Sequence, residues 1–303
     1  MTAAPKRNLP ASVRQRLQML SQKRRQPFDL ILVRYGVERL LYRLSRSPHA
    51  GRFVLKGAML FAVWSDALHR PTRDLDLLGF GPNAKDQLKA IFVELCRLEV
   101  EPDGLHFLPE SVQAAPIREE AAYPGVRVTL EGRLANARIA VQVDIGFGDT
   151  VTPAPEAIEF PALLDFPAPH LRAYPLYTVV AEKLAALVRL GAANSRMKDF
   201  FDLWFLSRDF TFDGRQLSAA LAATFERRQS ALPASTPVGL TPAFAAEKAV
   251  LWAVFVRRNA LAPMELDTVL DAIRAFALPP LRAAAEKTSF VSQWASAQGW
   301  HQP

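Results

Sequence analysis

The chain has 303 residues, half of them hydrophobic, which is enough for one large domain or for two domains with separate cores. Its single cysteine, Cys96, excludes an intramolecular disulfide framework and favours a reducing compartment, so we expect a cytoplasmic protein. No apolar run approaches the roughly 18 residues of a membrane span. The N-terminus also lacks the apolar stretch of a signal peptide, so we expect no membrane partner.

The net charge of +7 is concentrated at one end of the chain. Residues 1–48 carry eleven Lys and Arg side chains against only Asp29 and Glu38, a net +9, so the remainder sums to −2. A basic segment of this kind attracts polyanions by releasing their counter-ions. The alternative is a solvated helical face, and charge alone does not separate the two.

Two helices are predicted within this basic segment. The first runs from Val13, capped by Ser12, to about Arg25, and the second covers residues 28–45. The apolar side chains of the second helix form one stripe, and its charged residues lie largely off that stripe: Arg34, Glu38, Arg39, Arg43 and Arg46.

The most informative stretch is 52–78. It predicts a strand at 52–55, a turn at Lys56-Gly57, a helix at about 58–67 and a second strand at 73–78. Because side chains alternate along a strand, Asp74 and Asp76 share a face about 6.6 Å apart and can ligate a hard cation together. A strand, a glycine turn and a helix start offer backbone N–H groups to a phosphate. Each feature alone is common, but their order indicates chemistry on a nucleotide.

Asp144 is the third candidate carboxylate. Strands are expected at 105–107, 126–131 and 138–145, as an antiparallel addition to the sheet that carries Asp74 and Asp76. Asp144 lies among valines of the last strand, where a lone buried carboxylate is costly, so it should be a ligand or a paired charge. The alternative is an exposed aspartate at the strand end.

A connector rich in proline separates two predicted domains. Six prolines lie between residues 152 and 175, and we place the boundary so that the domains are 1–165 and 166–303. The second domain is predicted to be helical, with helices at 265–276 and 279–294 among others. Lys183 lies at the margin of an apolar helical stripe, and Asp199 and Asp202 lie on a helix with little polar surface. Such carboxylates should have partners: Lys183 is the natural partner of Asp199, and Asp202 is expected to make a structural hydrogen bond or helix contact.

Two blocks of sequence carry a family resemblance. The first is Lys56-Gly57 followed by Arg70-x-Thr72-x-Asp74-Leu-Asp76, and the second is Ala-Glu-Lys183-Leu followed by residues 196–203. Together they resemble the DNA-polymerase-beta-like nucleotidyltransferases, and within these the AbiEii-type toxins of bacterial toxin–antitoxin and abortive-infection systems. The likeness covers about 52–80 and 177–206, with Asp144 between them. The chain departs from the pattern at Ala58, where the family has a second glycine.

The resemblance implies an α+β fold: a nucleotidyltransferase domain with a small mixed sheet flanked by helices, then a mainly helical domain that contributes to the active site. It implies nucleotidyl transfer from an NTP with two Mg²⁺ ions. The residues implied to hold metal are Asp74, Asp76 and Asp144. Those implied to bind nucleotide are Lys56, Gly57, Arg70 and Lys183. Those implied to be catalytic are Thr72, Asp74, Asp76, Lys183 and Asp199.

The acceptor and partners also follow from the resemblance. It implies transfer to RNA, most naturally the 3′ end of tRNA, with inhibition of translation, and a cognate antitoxin protein as partner. Three alternatives stay open: an aminoglycoside-type enzyme acting on a small molecule, a protein nucleotidylyltransferase, and a non-catalytic GTP- or RNA-binding module. In the last of these, Asp74 and Asp76 would be dispensable.

Overall fold

A computed structural model of the chain describes residues 8–65, 70–117 and 125–302. The chain forms two compact units. The first contains the described residues up to Gly148 together with Glu156–Ala173, and the second contains Asp149–Pro155 and the residues from Tyr174 onward. The predicted boundary at 165/166 falls inside the range 156–173, because part of the proline-rich connector belongs to the first unit.

The first unit combines helices with a mixed sheet. Its elements are α1 (Leu9–Arg24), α2 (Phe28–Arg46), β1 (Phe53–Lys56), α3 (Phe61–Trp64), β2 (Leu75–Gly79), α4 (Lys85–Arg97), β3 (His106–Ile117), β4 (Gly125–Leu134), β5 (Ala137–Phe147), β6 (Glu156–Glu159) and β7 (His170–Ala173). The seven strands lie in the order β3-β4-β5-β2-β1-β7-β6. The β2–β5 and β1–β7 pairs are parallel and the other pairs are antiparallel. The predicted α+β fold with a mixed sheet is confirmed.

Helix α2 packs against this sheet through a glycine. A Cβ added to Gly36 would lie 2.7 Å from Cγ2 of Ile139 on β5, so only glycine allows this close approach. Along the central strands, alternate residues are apolar and buried, such as Leu75 and Leu77 of β2 and Val143 of β5. The residues between them therefore point to the opposite face of the sheet.

The prediction that the charged side chains of α2 lie outside the buried core is wrong for three residues. Glu38, Arg39 and Arg43 are 0%, 1% and 6% exposed, because α1, α4 and the sheet surround the helix. Arg39 Nη2 lies 3.0 Å from a carboxylate oxygen of Glu38. Arg43 Nη1 donates to Asp103 at 2.7 Å. These buried charges are paired, and the exposed part of the basic segment is correspondingly smaller.

The N-terminal end of the basic segment differs from the prediction. Helix α1 begins one turn earlier than predicted, because Asn8 caps it by accepting from the Ala11 amide at 3.2 Å. Lys6 and Arg7 lie outside the described residues. Among the described residues of the basic segment, the cations whose side chains are exposed are Lys23, Arg24, Arg25 and Arg46.

Two further elements of the first unit differ from expectation. The short strand predicted at 105–107 is the start of β3, which is twelve residues long and carries an irregularity between Leu108 and Gln113. The helix predicted at 58–67 is a 3₁₀ turn, Gly57–Leu60, followed by the single helical turn of α3. Residues 66 and 67, where that helix was predicted to end, lie outside the described residues.

The second unit is mainly helical, as predicted. Its elements are α5 (Leu176–Leu190), α6 (Met197–Asp209), β8 (Phe212–Asp213), α7 (Gly214–Arg227), α8 (Pro242–Arg258), α9 (Leu266–Glu286), β9 (Gln293–Ala295) and β10 (Gly299–His301). Within the ranges that the structure describes, no helix combines the length and the apolar character needed to cross a membrane.

The predicted helix at 279–294 is wrong. Helix α9 continues through Pro279 and Pro280, and the chain then forms the β9–β10 hairpin, which pairs with β8. An internal proline costs a helix about 3 kcal/mol, so sequence reasoning ended the helix there. Tertiary contacts offset that cost: Pro280 is buried and its carbonyl accepts from Ser218 at 3.2 Å. The hairpin is held by Trp294, whose indole donates to the Ser207 carbonyl at 2.6 Å.

Candidate active site

Four charged residues form a line across neighbouring strands of the first unit, which we call the charged row: Lys56 of β1, Asp76 of β2, Asp144 of β5 and Arg127 of β4. Lys56 is the register partner of Asp76, Asp76 of Asp144, and Asp144 of Arg127. Directly opposed residues in a sheet present their side chains on the same face, with strands about 4.8 Å apart. The row therefore has two carboxylates at its centre and one cation at each end.

Asp74 extends this arrangement on the same face. It lies immediately before β2 and is exposed, and its carboxylate accepts from Nε2 of Gln142 at 3.2 Å. Asp74 precedes Asp76 by two residues, and Gln142 precedes Asp144 by two. The fold thus brings the three carboxylates proposed from sequence, Asp74, Asp76 and Asp144, to one region of one sheet face.

Gly57 allows the turn after β1 to approach Asp76. Its φ of +74° lies in the left-handed region, which strains any residue with a Cβ. A Cβ at this position would also overlap the Asp76 carboxylate, with Cγ only 2.7 Å away. The helix that follows is too short to add a substantial dipole, since α3 has four residues. A phosphate at this turn would therefore depend on individual backbone N–H groups and on Lys56.

Arg70 and Thr72 lie in the irregular segment that leads into β2, and both are partly exposed. This segment is tied to the start of α2, because the neighbouring Arg73 forms an ion pair with Asp29. The hydrogen bond from Arg73 is also the main reason that the pKa of Asp29 lies below its usual value. The contact between Arg73 and Asp29 thus joins the residue next to Asp74 to the start of α2.

Sequence reasoning missed Arg127. Its guanidinium binds Asp144 through two hydrogen bonds, with Nε 2.8 Å from Oδ1 and Nη2 2.7 Å from Oδ2. Asp144 is only 20% exposed, and Arg127 is 44% exposed. Asp144 is thus a paired charge in the structure, and its role as a metal ligand stays a prediction. The available signal was an arginine between Val126 and Val128 on a strand expected beside that of Asp144.

The chemistry of these donors fits a hard divalent cation. Asp74 and Asp76 offer carboxylate oxygens from one face, which are the ligands that Mg²⁺ prefers. Across residues 8–65, 70–117 and 125–302, no group of three or more His, Cys, Asp or Glu side chains is arranged to hold a metal ion. The third carboxylate of this face, Asp144, is paired with Arg127 through two hydrogen bonds.

The second unit carries its own group of charges, which we call the lysine cluster: Lys183 of α5 with Arg196, Asp199 and Asp202. Lys183 Nζ donates to Asp199 at 2.8 Å and to Asp202 at 2.7 Å. Arg196 Nε donates to the other oxygen of Asp199 at 2.6 Å. The side chains of Asp199 and Asp202 are 3% and 0% exposed, so these charges are nearly removed from water.

The cluster confirms one expected contact and corrects another. Lys183 does pair with Asp199, but Asp202, expected to make a separate structural contact, binds the same ammonium. The i, i+3 spacing of the two aspartates, which brings both to one side of α6, was the signal for this. Burial acts to raise the pKa of Asp199, but Lys183 and then Arg196 outweigh it, so the pKa lies below its usual value. Asp199 is therefore kept as a counter-ion of Lys183.

Comparison with known proteins agrees with these motifs. The profile of the family described as "Nucleotidyl transferase AbiEii toxin, Type IV TA system" matches residues 39–284, which include both the charged row and the lysine cluster. No curated protein matches the chain. Among solved structures, JHP933 from Helicobacter pylori is 15% identical, with a TM-score of 0.46 over 82% of this chain and 88% of that one.

A second Helicobacter pylori structure, described provisionally as a nucleotidyltransferase, is also 15% identical, with a TM-score of 0.44 over 82% of this chain and 91% of that one. Because both TM-scores are below 0.5, we draw no conclusion from these two structures. The family profile spans most of the chain, including every candidate site residue proposed from sequence. The chain therefore belongs to the AbiEii family of nucleotidyltransferase toxins of type IV toxin–antitoxin systems.

Proposed function

We propose that this protein uses Mg²⁺ to transfer a nucleoside monophosphate from an NTP to the 3′ end of tRNA, and that it inhibits translation in this way. The observation that carries the proposal is the charged row, in which Asp76 and Asp144 are register partners and Asp74 lies two residues before Asp76. A nucleotidyltransferase needs carboxylates on one face to bind the metal of its NTP substrate, and this face supplies them.

In this reaction the 3′-hydroxyl oxygen of the acceptor forms a bond to the α-phosphorus of the NTP, and the bond to the leaving pyrophosphate breaks. Asp74 and Asp76 would hold the metal, and Asp144 is the third carboxylate of the set. When bound, Mg²⁺ supplies positive charge to the triphosphate and lowers the pKa of the attacking hydroxyl. Lys56 and the backbone N–H groups after Gly57 bind phosphate oxygens beside Asp76. Their position supports this role, because Lys56 is the register partner of Asp76 and the Gly57 turn lies against its carboxylate.

Arg70 and Thr72 are proposed to contact the nucleotide from the segment that enters β2. Their partial exposure supports this role, since a residue that contacts substrate has to be reachable from solvent. The ion pair between Arg73 and Asp29 links the segment that carries them to the start of α2.

Lys183 is proposed to neutralise charge on the triphosphate, with Asp199 setting the position of the ammonium. The lysine cluster supports the second part of this role, because Asp199 and Asp202 bind Lys183 at 2.8 and 2.7 Å. Two carboxylates hold the ammonium in place, and a compact ammonium suits a phosphate partner. Arg196 completes the cluster through Asp199, so the two cations and two anions sum to zero.

The RNA acceptor is supported by the cations of α1 and α2 that stay in solvent. Lys23, Arg24 and Arg25 end α1, and Arg46 ends α2, and all four are exposed. Each can contact a phosphate of an RNA backbone, and each contact would make binding more sensitive to salt. The family also implies a cognate antitoxin protein as the physiological partner.

A transfer assay tests the proposal. Purified protein is incubated with Mg²⁺, total tRNA and each α-labelled NTP in turn, beside the Asp76→Asn variant, which removes a charge while keeping the shape of the side chain. The matched control is Asp86→Asn, at an exposed position in the first turn of α4. We expect label in tRNA with the wild type and the control, and a loss of at least about 100-fold with Asp76→Asn.

Other outcomes redirect or refute the proposal. Label on the protein, or on an added protein fraction, with none in tRNA would favour a protein nucleotidylyltransferase. Equal labelling of tRNA by the wild type and by Asp76→Asn would remove the proposed role of the charged row. No transfer, with NTP still bound, would favour a binding module.

A further inference from the structure

The geometry points to Arg127 as a positioning residue that holds Asp144 and competes with the metal ion for its carboxylate. This inference rests on the proposed function, because it concerns the metal that the charged row would bind. Arg127 is attached to Asp144 at both carboxylate oxygens, at 2.8 and 2.7 Å. Two-point arginine–carboxylate bonds are the most directional ion pairs in proteins.

The sheet register explains why these two residues meet. Arg127 of β4 is the antiparallel partner of Asp144, and Asp76 of β2 is its parallel partner on the other side. Asp144 therefore lies between a cation and a carboxylate that both face it from adjacent strands. The carboxylate turns towards Arg127, which satisfies both of its oxygens and separates it from the like charge of Asp76.

The charge balance of the row follows from this arrangement. Lys56, Asp76, Asp144 and Arg127 carry two positive and two negative charges, so the row is neutral before any metal binds. A cation approaching Asp76 thus competes with Arg127 for the third carboxylate. Loss of the guanidinium would release Asp144 towards Asp76, and three carboxylates would then be offered to a cation on one sheet face.

Binding of Mn²⁺ to the full-length protein tests this competition without measuring catalysis. Free Mn²⁺ is titrated by electron paramagnetic resonance against the wild type, Arg127→Gln and the double variant Arg127→Gln/Asp144→Asn. We expect Arg127→Gln to bind Mn²⁺ at least about fivefold more tightly, the factor that corresponds to one well-formed exposed ion pair. The double variant, which has the same net charge as the wild type, should return to the wild-type affinity.

Two controls distinguish release of the Asp144 carboxylate from the general electrostatic effect of removing one positive charge. Arg138→Gln removes another exposed strand arginine, paired with Glu131 and about 20 Å along β5 from Asp144, and should leave Mn²⁺ affinity unchanged. The gain in Arg127→Gln should also persist in 0.5 M KCl, because salt screens direct ligation less than a distant charge. Arg127→Thr, which suits a strand, provides a second variant with the same expected gain.

The inference is overturned if Arg127→Gln and Arg127→Thr bind Mn²⁺ as the wild type does, or if neither the wild type nor these variants bind it. It is also overturned if the gain disappears in 0.5 M KCl or survives in the double variant. Transfer of nucleotide to tRNA by the wild type is measured separately. Failure of the competition between Arg127 and the cation is thus distinguishable from failure of the proposed function.

Discussion

The Lys183→Met variant isolates what the lysine cluster contributes to stability. Methionine keeps the apolar stem that lies along α5 but removes the ammonium that binds Asp199 and Asp202 at 2.8 and 2.7 Å. Both carboxylates are almost fully buried, so the loss of their shared cation should cost about 3–5 kcal/mol of unfolding free energy. Arg196 still holds Asp199 at 2.6 Å, so part of the charge compensation of the cluster remains.

The pH dependence of this variant has a definite sign. The pKa of Asp199 is lowered in the folded protein, so its ionised form contributes stability above about pH 4 that is lost as the pH falls further. Without Lys183, burial of Asp199 is opposed mainly by Arg196, and its pKa should rise. The destabilisation relative to wild type should therefore be largest near pH 7 and should shrink as the pH falls towards 3.

Urea unfolding followed by tryptophan fluorescence is a suitable assay, because Trp204, Trp252, Trp294 and Trp300 belong to the second unit and only Trp64 to the first. Lys248→Met is the matched control: its partner Glu247 is 61% exposed, so the change should cost about 0–1 kcal/mol.

A cost below about 1 kcal/mol for Lys183→Met, or one that does not vary with pH, would refute the reasoning. A loss of tRNA labelling in Lys183→Met has to be compared with its unfolding curve before Lys183 is assigned a catalytic role.

Three further predictions concern the first unit and the terminal hairpin. Gly57→Ala should lower stability by about 1–3 kcal/mol and abolish transfer, because of its positive φ and the overlap with Asp76, whereas Gly51→Ala, with nothing within 4 Å of the added Cβ, should do neither. Burial raises the pKa of Glu38 to about 7, so the free energy of unfolding should decrease as the pH rises from about 4.5 to 7. Glu38→Gln should remove this pH dependence in urea titrations. Trp294→Phe should lower the free energy of unfolding by about 1–3 kcal/mol, measured by urea titration, because it removes the donor to a buried carbonyl.

Each of these predictions has a contrary result. An active Gly57→Ala enzyme would mean that the turn after β1 can move away from Asp76. An unchanged pH slope in Glu38→Gln would mean that Arg39, 3.0 Å away, keeps the carboxyl ionised at all pH values tested. A Trp294→Phe protein as stable as wild type would mean that the β9–β10 hairpin contributes little to the second unit.

Local pattern was enough for much of the candidate site. Alternation along residues 74–78 predicted that Asp74 and Asp76 share a face, and the apolar neighbours of Asp144 predicted that it needs a partner. The apolar face of α6 predicted partners for Asp199. The alternation of side chains along a strand involves only neighbouring residues, so it can be recognised in the sequence. A charged residue among apolar neighbours can be recognised in the same way, because burying an isolated charge is costly.

Local pattern failed where distant parts of the chain set the outcome. Pro279 and Pro280 end a helix by their own chemistry, but packing against α7 keeps α9 continuous. Arg39 and Arg43 lie off the apolar stripe of α2 and are still buried, because distant segments cover them: Arg39 donates to the Pro167 carbonyl, and Arg43 donates to Asp103. The sequence shows which residues are charged but not which parts of the chain will cover them.

By itself, the sequence determined the type of chemistry: a glycine turn, a carboxylate pair and a lysine with its aspartate, in an order that few folds share. The tertiary structure decided which charges meet. The strand register aligned Lys56, Asp76, Asp144 and Arg127, and the packing of α5 with α6 placed both Asp199 and Asp202 on Lys183. Motifs consist of residues close together in the chain, so they can be recognised from the sequence alone. Ion pairs between strands or helices depend on strand register and helix packing, which are set only when the whole unit folds.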